Sequence, residues 1–357
     1  MKIIFISDWF GNPYKQLLSK HLIEQNCQVE EFKNEFLLIH RILRTRQKPQ
    51  ILHFQTIHCF IVARNSLFSW LKFLIFSIQL IWLKLLGIKI IWTVHEWHDK
   101  VSKNKQKNIS PWQAKILGTL LDAIITHCDS IKKLIEQELK LENSTKVFVV
   151  PHGNYINWYP NQVTLIQARK ILNLKSEQFV FLIFGGVHYG KGILEAIAAF
   201  KRLPQKDIQL VIAGKNGSDK LKTKILQEIQ DYQNIKLIAP DCGVPDLEVQ
   251  NYLNACNCLL LPYKIFTTSG VALLGMSFGK ACLAPNAGFF KDVFQNGGAL
   301  LYNPEQIDGL LKSMKMVIQE KDMLSAMETR NLQLAQQWNW DFVAEQTIKV
   351  YKECLLQ

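Results

Sequence analysis

LLPYKIFTTSGVALLGMSFGKACLAPNAG, Leu260 to Gly288, is the stretch on which the fold turns. Leu259 to Leu261 reads as a buried strand and Pro262 as the turn that ends it. Thr267-Thr268-Ser269-Gly270 then opens an apolar helix. Gly279 stops that helix, and Lys280 to Pro285 begins the next strand. A helix start rich in hydroxyls and glycine, at the carboxyl end of a strand, suits an anion. Its first N–H groups have no helical partner and the helix dipole is positive there. The same Thr and Ser side chains also read as ordinary helix caps.

Toward the N-terminus, Phe179 to Phe184 (FVFLIF) is an apolar run of strand length. It leads into Gly185-Gly186-Val187-His188-Tyr189-Gly190-Lys191-Gly192 and then the helical pattern ILEAIAAFKRL. Strand, glycine turn and helix with a lysine at its start nearly spell a Walker phosphate loop. Gly192, however, stands where a Ser or Thr would hold magnesium, and no Asp-ending strand follows to complete an NTPase. Lys191 remains a phosphate candidate. Read blandly, the glycines make a tight turn that lets a helix pack close to a sheet.

Together these stretches resemble the nucleotide-sugar-binding half of a GT-B glycosyltransferase, nearest to the retaining family numbered four. The GG…KG turn, Ala213-Gly214-Lys215 after the next strand, the LPY strand end and SFGKACLAP follow the family's order and spacing. The N-terminal half is similar in outline, with Thr93 to His95 (TVH) at a strand end and Pro151 to Gly153 (PHG) near the hinge. The resemblance implies an α/β fold: two Rossmann-like, doubly wound parallel-sheet domains facing a central cleft. It also implies a glycosyltransferase of hexosyl type, with a nucleotide-diphosphate sugar as donor substrate and no cofactor. The chain departs from the family at two glutamates that flank the last phosphate-binding helix. Phe266 and Leu274 occupy those positions, and His188 stands where an arginine is usual. These losses bear on ribose recognition and on the retaining outcome.

Bulk composition agrees with two domains. The chain has 357 residues, 48% of them hydrophobic and 20% charged, which excludes disorder and exceeds one ordinary core. Eight cysteines include no C-x-x-C pair, and Cys256 and Cys258 are too close for a zinc ribbon. With a strand at Lys2 to Ser7 and no signal pattern before it, a reduced cytosolic setting is expected. The net charge is +12, of which residues 1–155 carry +9. Arg41, Arg44, Arg46 and Lys48 cluster without any nucleic-acid motif, so no nucleic-acid partner is expected.

Ser66 to Leu86, SLFSWLKFLIFSIQLIWLKLL, reads as a helix of roughly 31 Å, long enough to cross a bilayer. A lysine in mid-span, Lys72, argues against crossing. Lys72, Gln79 and Ser69 share one side of the helical wheel. Two readings remain: a helix on the N-domain sheet with that stripe toward solvent, or an interfacial helix with Trp70, Phe73, Leu74, Phe76, Ile81 and Trp82 in a membrane. The second is favoured, since the apolar face exceeds what one sheet face needs. The expected partner is an anionic membrane, the expected location peripheral on the inner face of the cell membrane, and the expected acceptor lipid-linked or a polysaccharide precursor.

Strands and helices alternate throughout, the pattern of a parallel sheet wound on both sides. Expected bounds are residues 1–165 for an acceptor-side domain and 175–337 for a nucleotide-sugar domain. A closing helix at 341–357 would return to the first, and Tyr159 to Glu177 would link the two. Donor-binding candidates are Gly186, His188, Lys191, Thr267, Thr268, Ser269 and Gly270. By resemblance His95 contacts the donor sugar; Glu96 and Asp99 are base candidates for an inverting reaction. Asp8, Gly11 and Asn12 form an expected acceptor-side loop, and His152 reads as structural. No metal is expected: there is no Asp-x-Asp motif, and the His95-to-Asp99 spacing is wrong for H-E-x-x-H. Rival readings are a non-catalytic GT-B subunit, favoured by the missing glutamates, and a nucleotide-sugar 2-epimerase.

Overall fold

Short apolar runs separated by amphipathic helices leave little choice but parallel strands joined by crossovers. A computed structural model describes residues 1–7, 13–35, 37–63, 65–97, 109–141 and 146–356. The chain divides into two compact units, Met1–Gly153 with Trp338–Gln357, and Asn154–Gln337. The division falls at Gly153, earlier than the expected 165.

The first unit contains β1 (Lys2–Ile6), α1 (Pro13–Glu24), β2 (Gln28–Phe32), α2 (Leu38–Leu43), β3 (Ile51–Phe54) and α3 (His58–Ile61). It continues with α4 (Ser66–Leu85), β4 (Lys89–Thr93), α5 (Pro111–Leu120), β5 (Ala123–Thr126), α6 (Asp129–Glu138) and β6 (Val147–Val149). All six strands are parallel, in the order β2-β1-β3-β4-β5-β6. The strand order reverses between β1 and β3. In this unit sequence reading misses β2, whose residues QVEEF are mostly exposed on the sheet edge and carry no apolar run.

The second unit contains α7 (Leu165–Ile171), β7 (Phe179–Phe184), α8 (Ile193–Lys201), β8 (Ile208–Ala213), α9 (Asp219–Ile229), β9 (Ile235–Ile238), α10 (Val249–Ala255) and β10 (Cys258–Leu260). There follow α11 (Gly270–Ser277), β11 (Ala281–Pro285), α12 (Gly288–Phe294), β12 (Ala299–Tyr302), α13 (Gly309–Gln319) and α14 (Lys321–Gln337). The six parallel strands run β12-β11-β10-β7-β8-β9, with the reversal between β7 and β10. Tyr159 to Glu177 is no linker. α7 packs on α10, and Arg169, 4% exposed, donates to the Ala255 carbonyl and the Asn257 side chain. The final helix, α15 (Trp340–Leu356), belongs to the first unit. Its Trp340, Val343, Tyr351 and Cys354 enter one core with Tyr14, Leu18 and Leu22 of α1.

α4 is built inside out for a water-facing helix. Phe73, Phe76, Leu80 and Leu83 pack toward the unit, each contributing about 2 kcal/mol of burial. The polar residues face the protein too. Gln79 is 5% exposed and accepts from the Ile39 N–H, Lys72 donates to the Cys59 carbonyl, and Ser69 accepts from the Ala63 N–H. The reading that set this stripe toward solvent is therefore corrected. The opposite face presents Leu67, Trp70, Leu74, Ile78, Ile81, Trp82 and Leu85, each at least 40% exposed. Phe73 and Phe76 leave the expected membrane face because they fill the core. α4 is long and apolar enough to cross a bilayer, yet it packs on β4, α2, α3 and α5. Trp112 and Ile116 of α5 extend the exposed apolar surface, with Trp112 edge-on to Phe73.

Candidate functional site

In an open parallel sheet a ligand crevice forms where the strand order reverses, beyond the carboxyl ends of the two strands. In the second unit those strands are β7 and β10. The Gly185–Gly192 turn follows the first and the Pro262–Gly270 segment follows the second, so the two stretches singled out in the sequence meet. The backbone N–H groups of Lys264 and Ile265 donate to the Gly190 carbonyl at 2.9 and 3.2 Å. Gly192 has φ +64, and a Cβ there would stand 1.8 Å from the Pro262 carbonyl oxygen. That contact explains the departure from a Walker loop: a Ser or Thr at this position has neither the backbone conformation nor the space. Gly214, φ +152, lies as tightly against Gly185, where a Cβ would meet the Gly185 oxygen at 1.7 Å.

Lys191 ends a short 3-10 turn, Tyr189–Lys191, and its ammonium lies over the Tyr263 ring, 3.5 Å from the centroid. The Tyr263 hydroxyl is 3.5 Å from Ser269 Oγ. Ser269 in turn caps α11 by accepting from the Ala272 N–H at 3.2 Å. One aromatic ring therefore ties the lysine to the helix start, a role sequence reading did not give Tyr263. Thr267 is buried, Thr268 half-buried and Gly270 exposed at the first turn. The His188 ring lies against Gly186 and Gly190, 3.4 and 3.5 Å from where a Cβ on each would stand. Of the two positions that lack glutamates, Phe266 packs on Phe290 with ring centroids 4.7 Å apart, and Leu274 is 5% exposed.

In the first unit, side chains at the carboxyl ends of β3 to β6 converge around Tyr14. His95 follows β4, His127 follows β5 and His152 follows β6, all buried, with Tyr14 in ring contact with each. His95 Nε2 lies 2.9 Å from the Gln55 amide and Nδ1 lies 3.2 Å from His127 Nε2. His127 Nδ1 donates to the Val150 carbonyl, and His152 Nδ1 to the Gly153 carbonyl. Deeper, His53 bridges the Tyr351 hydroxyl and Thr93 Oγ1 at 2.6 and 2.7 Å. Burial holds all four imidazoles neutral, pushing His53 and His152 down to about 3, His127 down to about 4 and His95 well below its usual value. Glu96 is only half-buried, and the next residue, Trp97, is buried again. Sequence reading had no signal for Gln55 or His127, since neither belongs to a motif. Asp8, Gly11, Asn12 and Asp99 lie outside the described residues, as does His98. Among the described residues, one His/acid group is tight enough to hold a cation, His21, Glu24 and Asp341 on α1 and α15; two of its three members are exposed.

Residues 166–333 match the profile of the family described as Glycosyl transferases group 1. The chain carries a glycosyl transferases group 1 domain. That domain covers the second unit from α7 to α14, including both segments of the β7–β10 crevice. Over 231 residues the chain is 24% identical to lipopolysaccharide 1,2-N-acetylglucosaminetransferase of Salmonella typhimurium, spanning 62% of this chain and 60% of that protein. Over 169 residues it is 27% identical to GDP-mannose:glycolipid 4-beta-D-mannosyltransferase of Xanthomonas campestris pv. campestris, spanning 46% and 44%. The chain thus spans less than two thirds of these relatives. Among solved structures, HepE of Anabaena in complex with UDP and glucose superposes with a TM-score of 0.73 at 16% identity, covering 99% of this chain and all of that one. Sucrose-phosphate synthase of Thermosynechococcus elongatus superposes at 0.75 and 15%, covering 99% and 98%. The fold around the group 1 domain is accordingly α/β of the GT-B kind.

Proposed function

We propose that the chain transfers a sugar from a nucleotide-diphosphate donor to a lipid-linked or glycan acceptor at an anionic membrane surface. The carrying observation is the docking of the Gly185–Lys191 turn on the Pro262–Gly270 segment. It sets a lysine ammonium and an open helix start beside one tyrosine ring at the crevice of the second unit. A diphosphate leaving group needs charge stabilisation of this kind, and the ammonium and the N–H groups at the start of α11 would supply it without a metal. Names of relatives that act with GDP-mannose on glycolipid, or on lipopolysaccharide, support the donor and acceptor classes. The exposed apolar face of α4 and α5, with Lys115 exposed beside Ile116, supports docking on lipid. Location on the inner face of the cell membrane is part of the same reading.

A second reading, a GT-B subunit that binds without transferring, draws on Phe266 and Leu274. Both are apolar and packed where the family resemblance calls for carboxylates. Incubation with UDP- and GDP-sugars, with and without anionic vesicles carrying glycolipid, separates the two. Release of free nucleotide supports transfer. Nucleotide binding without release, under every donor and acceptor combination, favours the subunit.

A further inference from the structure

Two of the four buried histidines belong to a hydrogen-bond chain that can run in only one direction. His127 Nδ1 faces the Val150 carbonyl oxygen at 2.9 Å. A carbonyl only accepts, so this nitrogen carries the hydrogen. Between His127 Nε2 and His95 Nδ1, 3.2 Å apart, there is room for one hydrogen. A neutral His127 has already placed its hydrogen on Nδ1, so its Nε2 is bare and the shared hydrogen sits on His95 Nδ1. Burial favours the neutral form of both rings, and His127, His152 and His53 lower His95 further. His95 Nε2 is then bare as well. The Gln55 amide 2.9 Å away must turn its NH2 toward it. The reverse orientation, oxygen to ring, needs a hydrogen on both His95 nitrogens and therefore a buried imidazolium. The remaining amide atom of Gln55 has no partner among the described residues, so the amide is free to follow the ring.

We infer that Gln55, His95, His127 and the Val150 carbonyl form one directional chain, in which His127 is the positioning residue that holds His95 as the Nδ1–H tautomer with Nε2 an acceptor. His95 so held can only accept at Nε2, so a sugar hydroxyl bound there would donate in place of the Gln55 amide. The tautomer stands on the hydrogen-bond geometry and on the neutrality that burial imposes on both rings; its use in transfer rests on the transferase reading above.

The test is ring nitrogen spectroscopy of the full chain labelled with 15N-histidine at neutral pH, with nucleotide release measured alongside. Wild type should show His95 and His127 both neutral with the hydrogen on Nδ1. Gln55→Met should keep the His95 tautomer, because His127 sets it. His127→Phe should move the hydrogen to Nε2 and lower kcat roughly tenfold or more at unchanged donor KM, the scale on which partners orienting a functional histidine act. A wild-type His95 with hydrogen on Nε2 or on both nitrogens overturns the inference. So does a folded His127→Phe that keeps the original tautomer or the original kcat. Should His127→Phe not fold, an Nε2–H ring in wild type or in Gln55→Met still decides against it. A wild type that releases no nucleotide counts against the transferase reading, and the spectrum settles the tautomer regardless.

Discussion

Gly192 and Pro262 touch through the backbone. The glycine sits at φ +64 with its Cα so close to the Pro262 carbonyl that no side chain fits between, and this contact locks the turn after β7 onto the segment after β10. Everything proposed for donor binding depends on that closeness, because it sets Lys191 over Tyr263 and Tyr263 beside Ser269.

Gly192→Ala should therefore lose stability and donor affinity together. Its Cβ would stand 1.8 Å from a backbone oxygen, and the left-handed conformation adds a further penalty of about 1 kcal/mol. Gly297→Ala isolates the conformational part: it has φ +93 and nothing within 4 Å of its Cβ. In urea unfolding the first variant should be the more destabilised by at least about 1 kcal/mol. Equal losses would mean that the Pro262 contact relaxes at no cost.

Lys191→Ala removes the ammonium while sparing the turn. Calorimetry with UDP or GDP should show binding weakened by about 1.5–3 kcal/mol, the worth of a hydrogen bond to a charged group. Unchanged affinity in a folded variant would place the diphosphate elsewhere.

The four buried histidines make the first unit acid-sensitive. Their folded pKa values lie below the usual 6.5, at about 3 for His53 and His152 and about 4 for His127, so on acidification the unfolded chain takes up protons first. Stability is full above pH 6.5 and falls as pH drops toward 4, by about 1.4 kcal/mol per pH unit for each histidine. Among the described residues every tryptophan except Trp158 lies in this unit, so tryptophan fluorescence reports it. The urea midpoint should fall across that window, and His53→Gln should flatten the slope by one proton's worth. An identical slope in wild type and variant would show that His53 does not titrate on unfolding.

On α4, position decides the outcome of a charge. Trp82→Glu or Ile78→Glu places the carboxylate on the exposed face and should abolish co-sedimentation with anionic vesicles at low salt while leaving the fold intact. Phe73→Asp, at a residue 2% exposed, should unfold the unit instead. Wild type that stays in the supernatant at every salt concentration removes membrane docking from the proposal.

Much of the fold was legible because its signals are local. FVFLIF, IQLVIA and KIIWT are buried on both faces of a parallel sheet, so they stand out as unbroken apolar runs. The glycine turn and the TTSG helix start announced themselves the same way. The strands that escaped, β2 and β12, are both sheet edges, where partial exposure dilutes the pattern.

The sequence by itself determined the class of fold and the two segments that line the crevice of the second unit. Each rests on periodicity or turn chemistry within about ten neighbouring residues. The tertiary structure decided which face of α4 meets the core. The wheel shows two faces, but only the packing of Phe73 and Phe76, with Gln79 held by the Ile39 N–H, turns the polar stripe inward. It alone decided the company His95 keeps. Gln55, His127 and Val150 come from the ends of β3, β5 and β6, separated from His95 by 32 to 55 positions along the chain, and sheet register rather than sequence spacing brings their atoms within hydrogen-bond reach.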